Sequence, residues 1–171
     1  MIDDSDITEI IPHLFLSNWF TSNNPNVLYQ NNIKAVITIE TLEKPSDILL
    51  YQQMNGIESM YITLPDSPSA NIYQYFDTTY SFIKNKISKG ENVLVHCYAG
   101  ISRSSTIVLN YILKDFYKNN KNNKNFTNPQ EILYCSLNFV QKRRHIVNPN
   151  QGFLNQLLRK TMQYINECQK K

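Results

Sequence analysis

Glycine is scarce in this chain: four among 171 residues, at positions 56, 90, 100 and 152. So few glycines make each position informative, because glycine is the residue that tolerates a left-handed backbone or a close approach. Cysteine is scarcer still, with Cys97, Cys135 and Cys168. An odd and low number excludes a disulfide-built secreted scaffold and fits a reducing compartment. No run of about 18 apolar residues is present, so a membrane-spanning helix is not expected. The start, Met1-Ile2-Asp3-Asp4-Ser5-Asp6, is acidic and polar where a secretory signal needs a basic and then an apolar stretch. An intracellular, cytoplasmic protein is expected, with nucleus or virion as alternatives. The net charge of +3 is too small to argue for nucleic acid.

What the chain has in excess is asparagine, 22 residues, with 13 lysines against 4 arginines. Asn, Lys, Ile and Tyr share A/T-rich codons, so the excess reads first as a coding signature. It concentrates in loop 118–125, a polar stretch expected at the surface between two helices. The length fits one domain over 1–171, with a core spanning about 9–165.

Strands and helices alternate before that loop. Leu14-Phe15-Leu16, Lys34 to Ile39, Ile57 to Leu64 and Val93-Leu94-Val95 read as strands. The last is apolar throughout, as in a strand buried on both faces. Ile72, Tyr75, Phe76, Thr79, Phe82, Ile83 and Ile87 recur at helical spacing. Ser104 to Phe116 is apolar on nearly every side, which predicts a central helix. Asn128-Pro129-Gln130-Glu131 carries a helix-start pattern, with a helix to about Arg144. Residues 145–149 break it, and a last helix runs from about Asn150 to Glu167. The fold class predicted is α/β: a central, mostly parallel twisted sheet of four to five strands flanked by helices, with a helical C-terminal half.

The informative stretch is His96-Cys97-Tyr98-Ala99-Gly100-Ile101-Ser102-Arg103-Ser104. It falls where a buried strand ends and a helix starts, a place where unpaired N–H groups attract anions. A cysteine there is expected to react as the thiolate. Arg103 supplies a two-pronged donor for a tetrahedral oxyanion such as phosphate. Gly100 sits where the loop needs a positive φ or a close approach. The chemistry this predicts is nucleophilic, with Cys97 attacking phosphorus and water releasing the cysteinyl-phosphate. Asp66, after a predicted strand, is the candidate acid and then base. Ser104 is placed to hydrogen-bond the sulfur. His96 reads as a residue that orients the loop, and Asn71 as a loop-fixing side chain. No ligand spacing for a metal is visible, and no cofactor is needed.

With these residues in view, the chain resembles the dual-specificity branch of the cysteine-based protein tyrosine phosphatases, of the small, atypical type. His-Cys, five residues and Arg, ending Gly-Ile-Ser-Arg-Ser, is similar to that family's phosphate loop. The likeness extends to Ile11–Leu16, to Asp66 with Asn71-Ile72 and Tyr75-Phe76, and to Arg143-Arg144 with residues 147–153 and Gln156-Leu157. The resemblance implies a protein tyrosine phosphatase-like fold. It implies Cys97 as nucleophile, Arg103 with the N–H groups of Tyr98, Ala99, Gly100, Ile101 and Ser102 as phosphate binder, Asp66 as acid/base and Ser104 as helper. Phosphoprotein substrates are implied, with no nucleic-acid or membrane partner and with monomer or homodimer open. A phosphate-binding module without turnover, and an enzyme acting on phosphoinositides or RNA 5′ ends, are the competing readings. The neutral residues at 98, 99, 101 and 102 argue against the latter, and the presence of Cys97, Arg103 and Asp66 against the former.

Elsewhere the default expectations are structural. Cys135 falls on a stripe with Ile132 and Phe139 and is expected in the core. Lys142-Arg143-Arg144 reads as a solvated helix end, Asn150 as a helix cap, and Trp19-Phe20 as core or partner surface. Turnover of an aryl phosphate is expected to survive a chelator and to be blocked by vanadate, a phosphate mimic. Loss of activity in chelator would contradict the metal-free mechanism.

Overall fold

The computed structural model describes residues 6–120 and 127–169. Positions 121–125 of the Asn-rich loop and the acidic start through residue 5 lie outside the described residues. Five strands form one sheet: β1 (Ile7–Ile11), β2 (Leu14–Ser17), β3 (Ile33–Ile39), β4 (Glu58–Ile62) and β5 (Asn92–His96), in spatial order β1-β2-β5-β3-β4. β1 pairs antiparallel with β2, and every other pairing is parallel. The sheet is thus the mixed, mostly parallel one expected, with an antiparallel hairpin at one edge.

Seven α-helices cover it: α1 (Trp19–Ser22), α2 (Pro25–Gln30), α3 (Ser46–Met54), α4 (Phe76–Ile87), α5 (Arg103–Asn119), α6 (Pro129–Gln141) and α7 (Gln151–Gln169). A short 3-10 turn, Tyr73–Tyr75, leads into α4. The first three helices are too short or too weakly periodic to be legible as apolar stripes. α5 is central as expected, with Ile107, Val108, Leu109, Tyr111 and Leu113 all buried. Among the described residues every element after β5 is a helix.

The alternation of β3 and β5 sorts two cores. Ala35, Ile37, Ile39, Val93 and Val95 face the larger one, with Phe76, Ile83, Leu109, Phe153 and Leu157 from the helices. Val36 and Leu94 face the smaller one, with Phe15, Leu28, Ile33, Ile48 and Ile57. On that smaller side Thr38 and His96 stand opposite each other in register. Period-two alternation therefore decides that these two polar side chains meet under the sheet's C-terminal edge.

Three local expectations change. Cys135 is exposed rather than packed in the core, because α6 buries Ile132, Leu133 and Val140 and turns its next face outward. Arg144 is buried rather than solvated, for reasons given below. Trp19 and Phe20 divide the two roles between them: Trp19 packs against the His96 ring, while Phe20 is exposed.

Gly152 shows what a scarce glycine is for. A Cβ there would lie 1.9 Å from the Pro68 carbonyl oxygen. The first turn of α7 thus presses directly on the loop that carries Asp66. Gly152→Ala is expected to cost about 1–3 kcal/mol of stability by overpacking, read as a lowered midpoint in denaturant, and to slow turnover by pushing that loop away. An unchanged midpoint would contradict the contact.

Candidate active site

β5 ends at His96, and α5 begins at Arg103. The six residues between reverse direction tightly, with Gly100 at φ +66°. A side chain at 100 would also meet the Ser17 carbonyl oxygen at 2.5 Å. Both the backbone and the space require glycine.

The loop's carbonyls from Tyr98 to Ser102 point outward onto donors. The Trp19 N–H donates to Tyr98 at 2.9 Å, and Asn148 N–H to Ile101 at 2.9 Å. Arg144 Nε donates to the Gly100 carbonyl at 3.0 Å, and its Nη2 reaches Ala99 at 3.5 Å. The Ser102 carbonyl accepts from the Thr106 N–H and from the hydroxyls of Ser105 and Thr106. With the carbonyls turned out, the amides are left for the inside. Among the described residues no carbonyl takes the N–H of Tyr98, Ala99, Ile101 or Ser102. Such a nest of N–H groups at a helix start is an anion site.

Cys97 lies at the bottom of this nest, almost fully buried. Its sulfur accepts from the Gly100 N–H at 3.3 Å and from Ser104 Oγ at 3.2 Å. Both donors stabilise negative charge on it. Arg103 is 7% exposed and ion-paired through Nη1 to Glu40 at 2.9 Å, with the Leu64 carbonyl at 3.2 Å. Glu40 is itself 3% exposed. Breaking a buried pair from one side costs about 3–5 kcal/mol, so Glu40 holds the guanidinium firmly. The Arg103 Nε is buried without a hydrogen-bond partner, a donor suited to an oxyanion.

Asp66 is brought to the rim of the loop. Its Oδ1 accepts from Ser102 Oγ at 2.8 Å and from Asn150 Nδ2 at 2.8 Å. Two donors on Oδ1 leave Oδ2 as the oxygen that carries a proton when the group is an acid. Asn150 also caps α7, its Oδ1 accepting from the Phe153 N–H at 3.0 Å. One side chain thus ties the helix start to the acid, which reading it as a cap alone misses.

His96 is fully buried, and burial pushes its pKa down to about 3, with the Lys44 and Arg103 charges adding to the effect. It stays neutral and serves as support, its Nε2 lying 2.8 Å from Thr38 Oγ1. Asn71 departs from expectation. It is exposed, and it contributes its carbonyl, accepting from Gln74, rather than its side chain. Glu40 carries no signal in the sequence, and Arg144, which belongs to the family likeness, reads there only as a solvated helix end. Arg144 forks onto Asp6 at 2.6 and 3.0 Å while gripping the back of the loop. A charge at a helix end looks solvated until the fold places carbonyls around it. Tyr98 and Phe20 form an exposed edge-to-face pair, with ring centroids 5.8 Å apart, on the residue next to Cys97.

Among the described residues no group of three or more His, Cys, Asp or Glu gathers to hold a metal ion. No described helix is long and apolar enough to cross a membrane.

A Cys-Arg phosphate nest with an aspartate at its rim, on this sheet, defines a cysteine-dependent phosphatase site. Residues 14–163 match the family model for the dual specificity phosphatase catalytic domain, and the chain belongs to that family. It is 34% identical over 154 residues to dual specificity protein phosphatase 1B of Arabidopsis thaliana, covering 89% of this chain and 80% of that protein. It is 32% identical to dual specificity protein phosphatase 22 of Xenopus tropicalis, over 88% of this chain and 63% of the relative. Among solved structures, the human tyrosine phosphatase-like serine/threonine/tyrosine-interacting protein superposes with a TM-score of 0.75 at 28% identity, covering 93% of this chain and 97% of that one. The chain is therefore a protein phosphatase of the superfamily that works through a cysteinyl-phosphate.

Asn150→Ala removes both the helix cap and a donor to Asp66. Loss of the cap is expected to cost about 1 kcal/mol. Turnover of substrates with poor leaving groups should fall more than that of good ones. Equal slowing of both would remove Asn150 from the acid's support.

Proposed function

We propose that the protein hydrolyses phosphotyrosine and phosphoserine/threonine esters of intracellular proteins, with the roles divided as follows. The Cys97 sulfur attacks phosphorus in line with the ester oxygen. The phosphoryl oxygens are held by the loop N–H groups from Tyr98 to Arg103 and by the Arg103 guanidinium. As the P–O bond breaks, its electron pair stays on the leaving oxygen, which takes the proton from Asp66 Oδ2. Water then attacks the cysteinyl-phosphate and gives its proton back to Asp66. The P–S bond breaks, and the returning thiolate is met by Ser104 Oγ–H and the Gly100 N–H. His96 fixes the start of the loop.

The observation that carries this reading is the meeting of two elements distant in sequence. Asp66 is bonded to Ser102 of the nucleophile's own loop, with the sulfur already facing two donors. The neutral side chains at 98, 99, 101 and 102 favour a phosphomonoester on a protein over more highly charged ligands. A cytoplasmic signalling role is the setting that fits these substrates.

Cys97→Ser is expected to abolish turnover of an aryl phosphate while vanadate binding persists. Asp66→Ala is expected to slow poor leaving groups by roughly 10²–10⁴-fold and good ones far less, the range of general acid catalysis. Substantial turnover in the Cys97 variant would overturn the nucleophile assignment. Leaving-group independence of the Asp66 effect would overturn the acid.

A further inference from the structure

Behind the catalytic loop, on the smaller-core side of the sheet, runs a chain of three polar groups that the reaction described above does not use. Lys44 lies in the connection from β3 to α3. Its Nζ donates to Thr38 Oγ1 at 2.9 Å and reaches Gln52 Oε1 at 3.5 Å. Thr38 Oγ1 lies 2.8 Å from His96 Nε2. Thr38 is 1% exposed and His96 fully buried, so no solvent intervenes.

Proton counting decides the direction of these bonds. An ammonium nitrogen has no lone pair, so Thr38 Oγ1 must accept from Lys44. Thr38 Oγ1 has a second lone pair, but among the described residues its hydroxyl has no acceptor other than His96, so the buried hydrogen goes to the ring and Nε2 accepts it. A neutral imidazole carries one proton, which is therefore on Nδ1. Nδ1 is buried and makes no hydrogen bond of good geometry, and the adjoining Cys97 backbone favours the protonated ring. A ring N–H turned to a backbone acceptor is attractive, whereas a lone pair turned to it is repulsive.

We propose that Lys44 is a positioning residue for the nucleophile, setting through Thr38 the tautomer of His96 and with it the backbone contact that seats Cys97. The proposal rests on the reading of Cys97 as the nucleophile. Lys44 touches neither substrate nor reacting atoms and acts only through its two intermediates.

The arrangement has a built-in pH limit. The acceptors of Lys44, Thr38 and Gln52, are both uncharged. Burial brings its pKa down to about 8. Below that value the ammonium donates and the order above holds. Above it the amine gains a lone pair, which releases the Thr38 hydroxyl to turn toward Lys44 and His96 to donate from Nε2. Nδ1 then presents its lone pair to Cys97. The groups facing this chain are few. β5 contributes His96 itself, and the head of α5 contributes Arg103, already paired with Glu40 from the end of β3. From β4 come Ser59, which bonds the same Gln52 oxygen, and Tyr61, which senses Glu40, Arg103 and Glu43. α3 contributes the neutral Gln52 amide.

The test reads the ring and the rate separately on the full chain. Imidazole nitrogen shifts report which nitrogen of His96 carries hydrogen. At pH 7 the wild type is expected as the Nδ1–H tautomer. Lys44→Met is expected to move the ring toward Nε2–H and to lower kcat roughly 10-fold with KM little changed, the scale of a slightly misplaced reacting group. Lys44→Arg, charged at every working pH, is expected to keep kcat and extend its plateau to higher pH. Raising the pH of the wild type through about 8 is expected to move the ring the same way, which tests the chain without a substitution and covers a Lys44→Met protein that does not fold. Because the tautomer is read without turnover, its result stands whether or not Cys97 proves to be the nucleophile. A tautomer unchanged in Lys44→Met and across that rise in pH, or a changed tautomer with unchanged kcat, overturns the proposal.

Discussion

The site depends on one backbone constraint. A loop whose amides converge on a single point must turn its carbonyls the other way, into the protein. Buried carbonyls need donors. Here the five carbonyls from Tyr98 to Ser102 are all met: by the Trp19 N–H, by Arg144 twice, by the Asn148 N–H, and by the first turn of α5. The donors come from the start of α1, from the turn between α6 and α7 and from α5 itself. Much of the fold's connectivity exists to deliver them to one place.

Two arginines with opposite tasks follow from that arrangement. Arg144 serves the outside of the loop and is neutralised by Asp6. Arg103 serves the inside and is steadied by Glu40. Each is buried, so each demands its carboxylate. The acid is positioned by the same economy of parts. Ser102 donates its hydroxyl to Asp66, accepts the Asn150 N–H on that oxygen, and presents its carbonyl to α5. The loop, the acid and the start of α7 therefore move as a unit, and Gly152 against Pro68 closes the contact.

The residues that meet at the candidate site were legible because their types and spacing are distinctive: Cys97, Arg103 and Ser104 fall in one nine-residue stretch, and Asp66 follows a strand. The sheet was legible because β3 and β5 are continuous apolar runs. What lay beyond reach was any residue whose role comes from tertiary neighbours. Glu40, Lys44 and Arg144 are ordinary surface-type charges in sequence and become buried only once β3, α3 and the turn after α6 converge. Cys135 misleads in the opposite sense, since a helical stripe does not tell how wide the buried face is. The asparagine excess also changes meaning. Asn18, Asn24, Asn128 and Asn150 accept from N–H groups at helix starts. Asn31, Asn55 and Asn120 donate Nδ2 to the carbonyl four residues back at helix ends. Whatever the origin of the excess, the fold uses it to satisfy helix termini.

The central claim is that this nest works by holding a phosphoryl group on Cys97 between two chemical steps. Rapid acid quench during turnover of a labelled phosphopeptide, followed by peptide mapping, tests it most directly. The account predicts a phosphoryl group on the sulfur of Cys97 that forms and decays at rates consistent with turnover. Label on any other residue, or steady turnover with no enzyme-bound phosphoryl group at any quench time, would contradict it.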